Sequence, residues 1–307
     1  MRKLTISLLF MLLIVPAFAQ TRESAIGSSE EVIYGRKNGM ALTLVVLTPK
    51  AKSNNRAIIL VISAGLKSNF DMATEWAGTI AQPFLMKGYT VFEVCHGSAP
   101  KYNNIEIVSD LHRAVQFIRY NAVKFNIEPN KIGMTGASSG GFLSLMMGTT
   151  GFEPDLNAKD PIDRVVGNVQ AVACFFPPTD FLNFGKTGTV SMGTGLLSEY
   201  RAAFEFSSWN NQERHFEMIT DSVQLLKIGR QISPIYQVSA QSAPTLIAHG
   251  DMDELIPLQQ SQIFIQKLKE FNVPCELMIK QGGTHKVWPD ILVYLMAFSD
   301  WFDKYLK

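Results

Sequence analysis

Gly136-Ala137-Ser138-Ser139-Gly140 stands between an apolar run at 131–135 (KIGMT) and a second stretch, Phe142, Leu143, Leu145, Met146 and Met147, whose spacing is helical. A G-x-S-x-G pentapeptide at a strand-to-helix junction reads as a nucleophile elbow. It places Ser138 on a sharp turn with its hydroxyl clear of the backbone. The two glycines follow from the same turn, because a side chain at either position would strike the neighbouring strand or helix. Glu128-Pro129-Asn130, just ahead of the run, is a turn signal. The pentapeptide alone is a weak signal, so its place between a strand and a helix decides the reading.

Working outward, 57–63 (AIILVIS) and 89–95 (YTVFEVC) are continuous apolar runs, the pattern of strands buried on both faces. A helix is expected near 74–87 and another over 107–125, where Leu111, Ala114, Val115, Ile118 and Ala122 share a face. An opening hairpin pairs 31–34 with 41–48 through Asn38-Gly39. Later strands are read at 169–176 (VQAVACFF), 244–249 (PTLIAH) and 275–280 (CELMIK), with a closing helix over 287–306. Strands alternating with helices imply a parallel sheet covered on both faces, an α/β class fold. The alternation breaks at 177–243, which carries Gly185, Gly188, Gly193 and Gly195 and then a helical stretch near 198–228. Lying between two core strands, this segment is expected to leave the sheet at the edge that carries the elbow, as a cap over the site.

A serine hydroxyl needs a base within hydrogen-bond reach and an acid to orient that base. Of the five histidines, only His249 and His285 fall at the ends of late strands; His96, His112 and His215 do not. His285, in Gly282-Gly283-Thr284-His285, sits on a loop that can swing an imidazole back over the elbow and is the expected general base. The acid lies in the turn after 244–249, where Asp251 and Asp253 are both placed to serve. Glu254 reads as a solvated carboxylate, and His249 as a structural histidine bracing the turn. An oxyanion hole needs two backbone N–H groups. Ser139 supplies one, and the other is expected from Gly65 or its neighbour Ala64, after the AIILVIS strand.

These residues resemble a known family. The block 100–141 (PKYNNIEIVSDLHRAVQFIRYNAVKFNIEPNKIGMTGASSGG) is similar to the A-P…I-[DE]-P-x-[KR]-I-x-[VI]-x-G-x-S-x-G-G signature of α/β-hydrolase esterases. The relatives are of the hormone-sensitive-lipase, bifunctional feruloyl/acetylxylan-esterase and prolyl-oligopeptidase-like secreted bacterial type. The likeness resumes at 248–257 and 282–285. It implies an α/β-hydrolase fold with a mostly parallel eight-stranded sheet, helices on both faces and a small cap insertion. The H-G-x-x-D-x-x-[VI]-P pattern of that family falls on His249 to Pro257 and makes Asp253 the acid, leaving Asp251 to stabilise the turn. The implied triad is Ser138, Asp253 and His285. The chain departs from the family at three places. Ser63-Ala64-Gly65 replaces H-G-G, His96-Gly97-Ser98 replaces a tyrosine-arginine pair, and Ser138-Ser139-Gly140-Gly141 replaces S-A-G-G. Of the last, only the backbone of Ser139 is expected to matter, and His96 is expected to be structural.

The N-terminus reads as a secretion signal over 1–19, with Arg2 and Lys3, an apolar stretch from Leu4 to Val15, and an Ala17-Phe18-Ala19 cleavage site. Residues 20–307 then form one catalytic domain, exported to the periplasm or outside the cell and free of the membrane after cleavage. A formal net charge of +1 gives no reason to expect nucleic acid as a partner. Cys95, Cys174 and Cys275 are far apart in apolar runs, so buried free thiols are expected, with no structural zinc. No cofactor or metal is expected. The expected activity is hydrolysis of carboxylic esters, on a small-molecule or oligosaccharide ester such as acetylated or feruloylated polysaccharide. The alternatives are a prolyl-oligopeptidase-like peptidase with the same triad and a non-catalytic binding protein on the same fold.

Overall fold

The computed structural model describes residues 24–307 apart from residue 152, and the leader expected at 1–19 lies outside the described residues. The opening hairpin is β1 (Ile26–Lys37) and β2 (Met40–Pro49). Asn38 and Gly39 both take positive φ, 47° and 79°, as a two-residue hairpin turn of the primed type requires. All six residues of β3 (Ala57–Ile62) are buried, as its continuous apolar run predicts. The single helix expected near 74–87 is two, α1 (Phe70–Ala77) and α2 (Gln82–Met86). Asn69 caps α1 by accepting from the Met72 amide. Pro83 has no N–H to donate, so it fits the first turn of a new helix rather than the interior of an old one. β4 (Thr90–Cys95) and α3 (Asn104–Tyr120) follow. A capping box between Asn103 and Glu106 starts α3 ahead of the expected position.

The elbow strand is β5 (Ile132–Ala137), and α4 (Ser139–Thr149) begins immediately after Ser138. After β6 (Ala171–Phe175) comes the long excursion. It holds a 3₁₀ stretch at Gly195–Phe204, a hairpin of β7 (Ser207–Asn210) and β8 (His215–Met218), and α5 (Ser222–Gln231). The helical run expected near 198–228 is therefore interrupted. Asn210 turns the chain by accepting from the amides of Gln212 and Glu213. Trp209 and Phe216 then pair edge-to-face across the strands, ring centroids 5.0 Å apart. The chain finishes with β9 (Thr245–Gly250), α6 (Gln259–Glu270), β10 (Cys275–Lys280) and α7 (Ile291–Tyr305).

Eight strands form one sheet in the order β1-β2-β4-β3-β5-β6-β9-β10. Only β2 runs against its neighbours; the other pairings are parallel. One face carries Ile59, Val61, Met134 and Cys174 against α3, α4 and α6. The other carries Ile58, Leu60, Ala173 and Phe175 against α1, α2 and α7. In such a sheet a site forms at the carboxyl ends of the strands, and β5, β6, β9 and β10 all end on the same edge. The three cysteines are free thiols, but only Cys174, on central strand β6, is fully buried. Cys95 closes β4 and Cys275 opens edge strand β10, so both are partly exposed, against expectation. Among the described residues no helix is long and apolar enough to cross a membrane.

Candidate active site

Ser138 has φ 55° and ψ −117°, a conformation that costs a residue with a side chain about 1–3 kcal/mol. Its surroundings impose it. The Ser138 amide donates to Phe175 O at 3.0 Å, and the Ser138 carbonyl accepts from the Phe142 amide at 2.9 Å. A Cβ on Gly136 would lie 2.6 Å from the backbone of Gly140, and one on Gly140 would lie 3.0 Å from Val61 O. At the glycines of the motif β5, α4 and β3 thus pass too close for a side chain.

His285 Nε2 lies 2.9 Å from Ser138 Oγ, and His285 Nδ1 lies 2.7 Å from Asp253 Oδ2. The Asp253 side chain is fully buried, while that of His285 keeps 17% of its surface exposed. Asp253 Oδ1 accepts from the amides of Leu255 (3.0 Å) and Ile256 (2.8 Å). Burial pushes the Asp253 carboxyl up. Hydrogen bonds from His249, from His285 and from the Ile256 amide outweigh it and hold the group below the usual carboxylate range. An ionised Asp253 keeps the imidazole proton on Nδ1 and leaves the Nε2 lone pair facing the Ser138 hydroxyl.

Two loops carry the acid and the histidine, and they are joined backbone to backbone. The Met252 amide donates to Gly283 O at 2.9 Å and the Asp251 amide to Lys280 O at 3.1 Å. The Gly282 amide donates to Asp251 Oδ1 at 2.6 Å, so Asp251 ties the two loops together instead of capping its own turn. His249 is fully buried, bonded to Ser261 Oγ (2.6 Å) and Ile256 O (2.9 Å), and braces the same turn. Glu254 is exposed.

Ser139 and Gly65 both line a narrow cavity with Ser138. The Ala64 amide donates to Lys67 O at 2.9 Å. That bond removes Ala64 as a donor to a ligand and leaves Gly65. His96 lies elsewhere, in a separate cavity with Met40, Ser68 and Lys101. Its Nδ1 donates to Gly97 O, and burial pushes the imidazole down to about 4. On the exposed hairpin, Glu213, His215 and Glu217 bring one potential metal-ligand atom each within 4.8 Å of one another. Sequence reading passed over them because a turn residue and two alternate strand residues show no metal-ligand spacing.

A model of the BD-FAE family matches residues 44–268. The chain belongs to that family. The match runs from β2 to α6 and takes in Ser138 and Asp253. Esterase LipC of Mycobacterium tuberculosis is 25% identical over 190 residues, 60% of this chain and 41% of that protein. The chain spans about half the length of the curated relatives it matches. A truncated carbohydrate esterase from gut microbiota has a similar structure, with TM-score 0.74, 23% identity and coverage of 93% of this chain and 98% of that one. An acetyl ester-xyloside bifunctional hydrolase from Caldicellulosiruptor lactoaceticus gives TM-score 0.69 and 21% identity, covering 90% and 96%. Both likenesses show the α/β-hydrolase fold.

Sequence reading missed several groups at the site. Phe176, with φ 34°, lays its ring 4.6 Å from that of His285 and 5.8 Å from Trp288, backing the imidazole. The Pro177-Pro178 pair signals a chain reversal after Phe176, but no local pattern says which ring it meets. Leu197, Tyr200 and Phe204 of the excursion line the Ser138 cavity. The Ser139 side chain, dismissed from sequence, bonds the loop after β3.

Proposed function

We propose that this chain is an exported serine esterase acting on carboxylic esters, with ester-bearing oligosaccharides as its substrate class. The observation that carries the reading is the relay from Asp253 through His285 to a serine on a strained elbow, with links of 2.7 and 2.9 Å. Ser138 Oγ attacks the ester carbonyl while His285 Nε2 takes its proton. Asp253 stays ionised and stabilises the imidazolium. No hydrogen bond within the described residues engages the amides of Ser139 or Gly65, and these two N–H groups receive the oxyanion. Collapse expels the alcohol, which takes the proton from His285. Water, deprotonated by the same imidazole, then releases the acid from the acyl-enzyme.

The oligosaccharide part of the reading draws on the two structural neighbours, one a carbohydrate esterase and one an acetyl ester-xyloside bifunctional hydrolase. Export rests on the basic, apolar and Ala-x-Ala pattern of 1–19. The test is hydrolysis of p-nitrophenyl acetate by the protein beside Ser138→Ala, followed by acetylated and feruloylated oligosaccharides. Turnover that disappears in the variant supports an esterase. A folded protein without turnover on any ester points to a binding role. Secreted protein whose N-terminus begins at Gln20 supports export, and an intact leader on cytoplasmic protein contradicts it.

A further inference from the structure

The cavity that holds Ser138 has a volume of about 30 Å³. That is room for roughly two water-sized groups. Its walls come from three sources, one of them the acid loop through Leu255 and Ile256. Gly65, Leu66, Ser139 and Phe142 belong to the core of the fold, while Leu197, Tyr200 and Phe204 come from the 3₁₀ stretch of the excursion. Tyr200 is the closest of these to the expected oxyanion donor. A Cβ built on Gly65 would lie 2.4 Å from Tyr200 Cε1 and 2.9 Å from Cδ1, so that edge of the ring is packed against the glycine. Gly65, at φ 58°, is followed by Leu66 at φ 63°, and the loop is anchored beneath by the Leu66 amide on Ser139 Oγ. The floor of the cavity cannot sink, because Leu66 and Phe142 are buried in the core. What can vary is the upper wall, where Tyr200 lies nearest to Gly65. A far larger cleft of about 810 Å³ lies between α1, α2 and α7, but neither Ser138 nor His285 lines it.

We infer that Tyr200 determines the length of the acyl group the enzyme accepts. This rests on the esterase reading above. With the ester carbonyl at Ser138 and its oxygen toward the amides of Ser139 and Gly65, the acyl chain points into the space Tyr200 closes. A methyl group fits there. A butyryl or hexanoyl chain, or a cinnamoyl ring, meets the Tyr200 ring and the apolar side chains of Leu197 and Phe204. Each methylene that does not fit lowers kcat/KM by roughly 10-fold or more.

The experiment is kcat/KM for p-nitrophenyl acetate, butyrate and hexanoate with the wild type, Tyr200→Ala, Tyr200→Leu and Tyr200→Phe. The wild type is expected to favour acetate over hexanoate by at least about 100-fold. Tyr200→Ala and Tyr200→Leu are expected to raise hexanoate turnover above the wild type, a gain that misfolding cannot produce. Tyr200→Phe keeps the ring and is expected to keep the wild-type profile. Normal acetate turnover with a flat chain-length profile, or a Tyr200→Leu variant with the wild-type ratio, overturns the role of Tyr200 and leaves the esterase reading standing. A folded wild type that cleaves none of the esters overturns both.

Discussion

Ser139 Oγ lies 2.9 Å from Ser63 Oγ and accepts the Leu66 amide at 3.2 Å. The residue after Ser138 is thereby tied, through its side chain, to the loop that carries Gly65. Both residues are buried. In Ser139→Ala the Ser63 hydroxyl and the Leu66 amide lose their partner, at a cost of about 1–3 kcal/mol. The Gly65 amide loses its fixed position as well. The expected outcome is a fall in kcat of about 10-fold or more with KM nearly unchanged, because an oxyanion donor acts on the transition state. Steady-state kinetics beside a denaturant melt check both effects. A destabilised variant with wild-type kcat would show that the tie is structural only.

Asp253 is held below the ordinary carboxylate range, so it stays charged from pH 4 upward in the folded protein. A depressed folded value gives stability that is present above the unfolded value, about 3.9, and is lost as pH falls through the folded one. The Asp253–His285 contact is therefore expected to survive mild acid. Asp253→Asn removes the charge and presents the wrong partner to His285 Nδ1. It is expected to lower kcat by about 10⁴-fold near neutral pH. A pH–rate profile of the variant against the wild type measures it.

Gly250 closes β9 where the acid loop meets the histidine loop. A Cβ there would lie 2.1 Å from Gly283 O, so Gly250→Ala forces the two loops apart. A displacement of about 1 Å between catalytic groups lowers the rate by about 100-fold. The variant is expected to lose activity even where circular dichroism shows it folded.

Glu93 on β4 is fully buried, and neither carboxylate oxygen has a hydrogen-bond partner. Burial pushes its carboxyl up to about 8, so it is a neutral acid at pH 7. The unfolded chain ionises at about 4.3, so the folded state binds the extra proton and stability falls as pH rises from about 4 to 8. Glu93→Met removes that loss. It is expected to raise the melting temperature, by more at pH 8 than at pH 5. Equal shifts at the two pH values would contradict the assignment.

Much of this arrangement is legible in the chain because its causes are local. The buried runs of β3 and β4 need apolar residues at every position, the Asn38-Gly39 turn needs positive φ twice, and the elbow needs glycine at 136 and 140. His285 is legible as a residue at the end of a late strand, where a parallel sheet gathers its functional groups, whereas strand-end position leaves Asp251 and Asp253 level and the family pattern points to Asp253. What stays hidden depends on contacts between segments distant in sequence. Tyr200 lies on Gly65 from 135 positions away. Phe176 reaches His285 because its backbone turns out of β6, and Ser63 finds Ser139 only once β3 lies beside β5. The β7–β8 hairpin is missed because its apolar residues, Trp209 and Phe216, pair with each other instead of facing the core.

The most direct measurement is mass spectrometry of the folded protein after treatment with a fluorophosphonate. One adduct per chain is expected on the peptide that carries Ser138, and none on Ser138→Ala. A folded wild type that takes up no reagent, or takes it up at another residue, would contradict a nucleophilic Ser138.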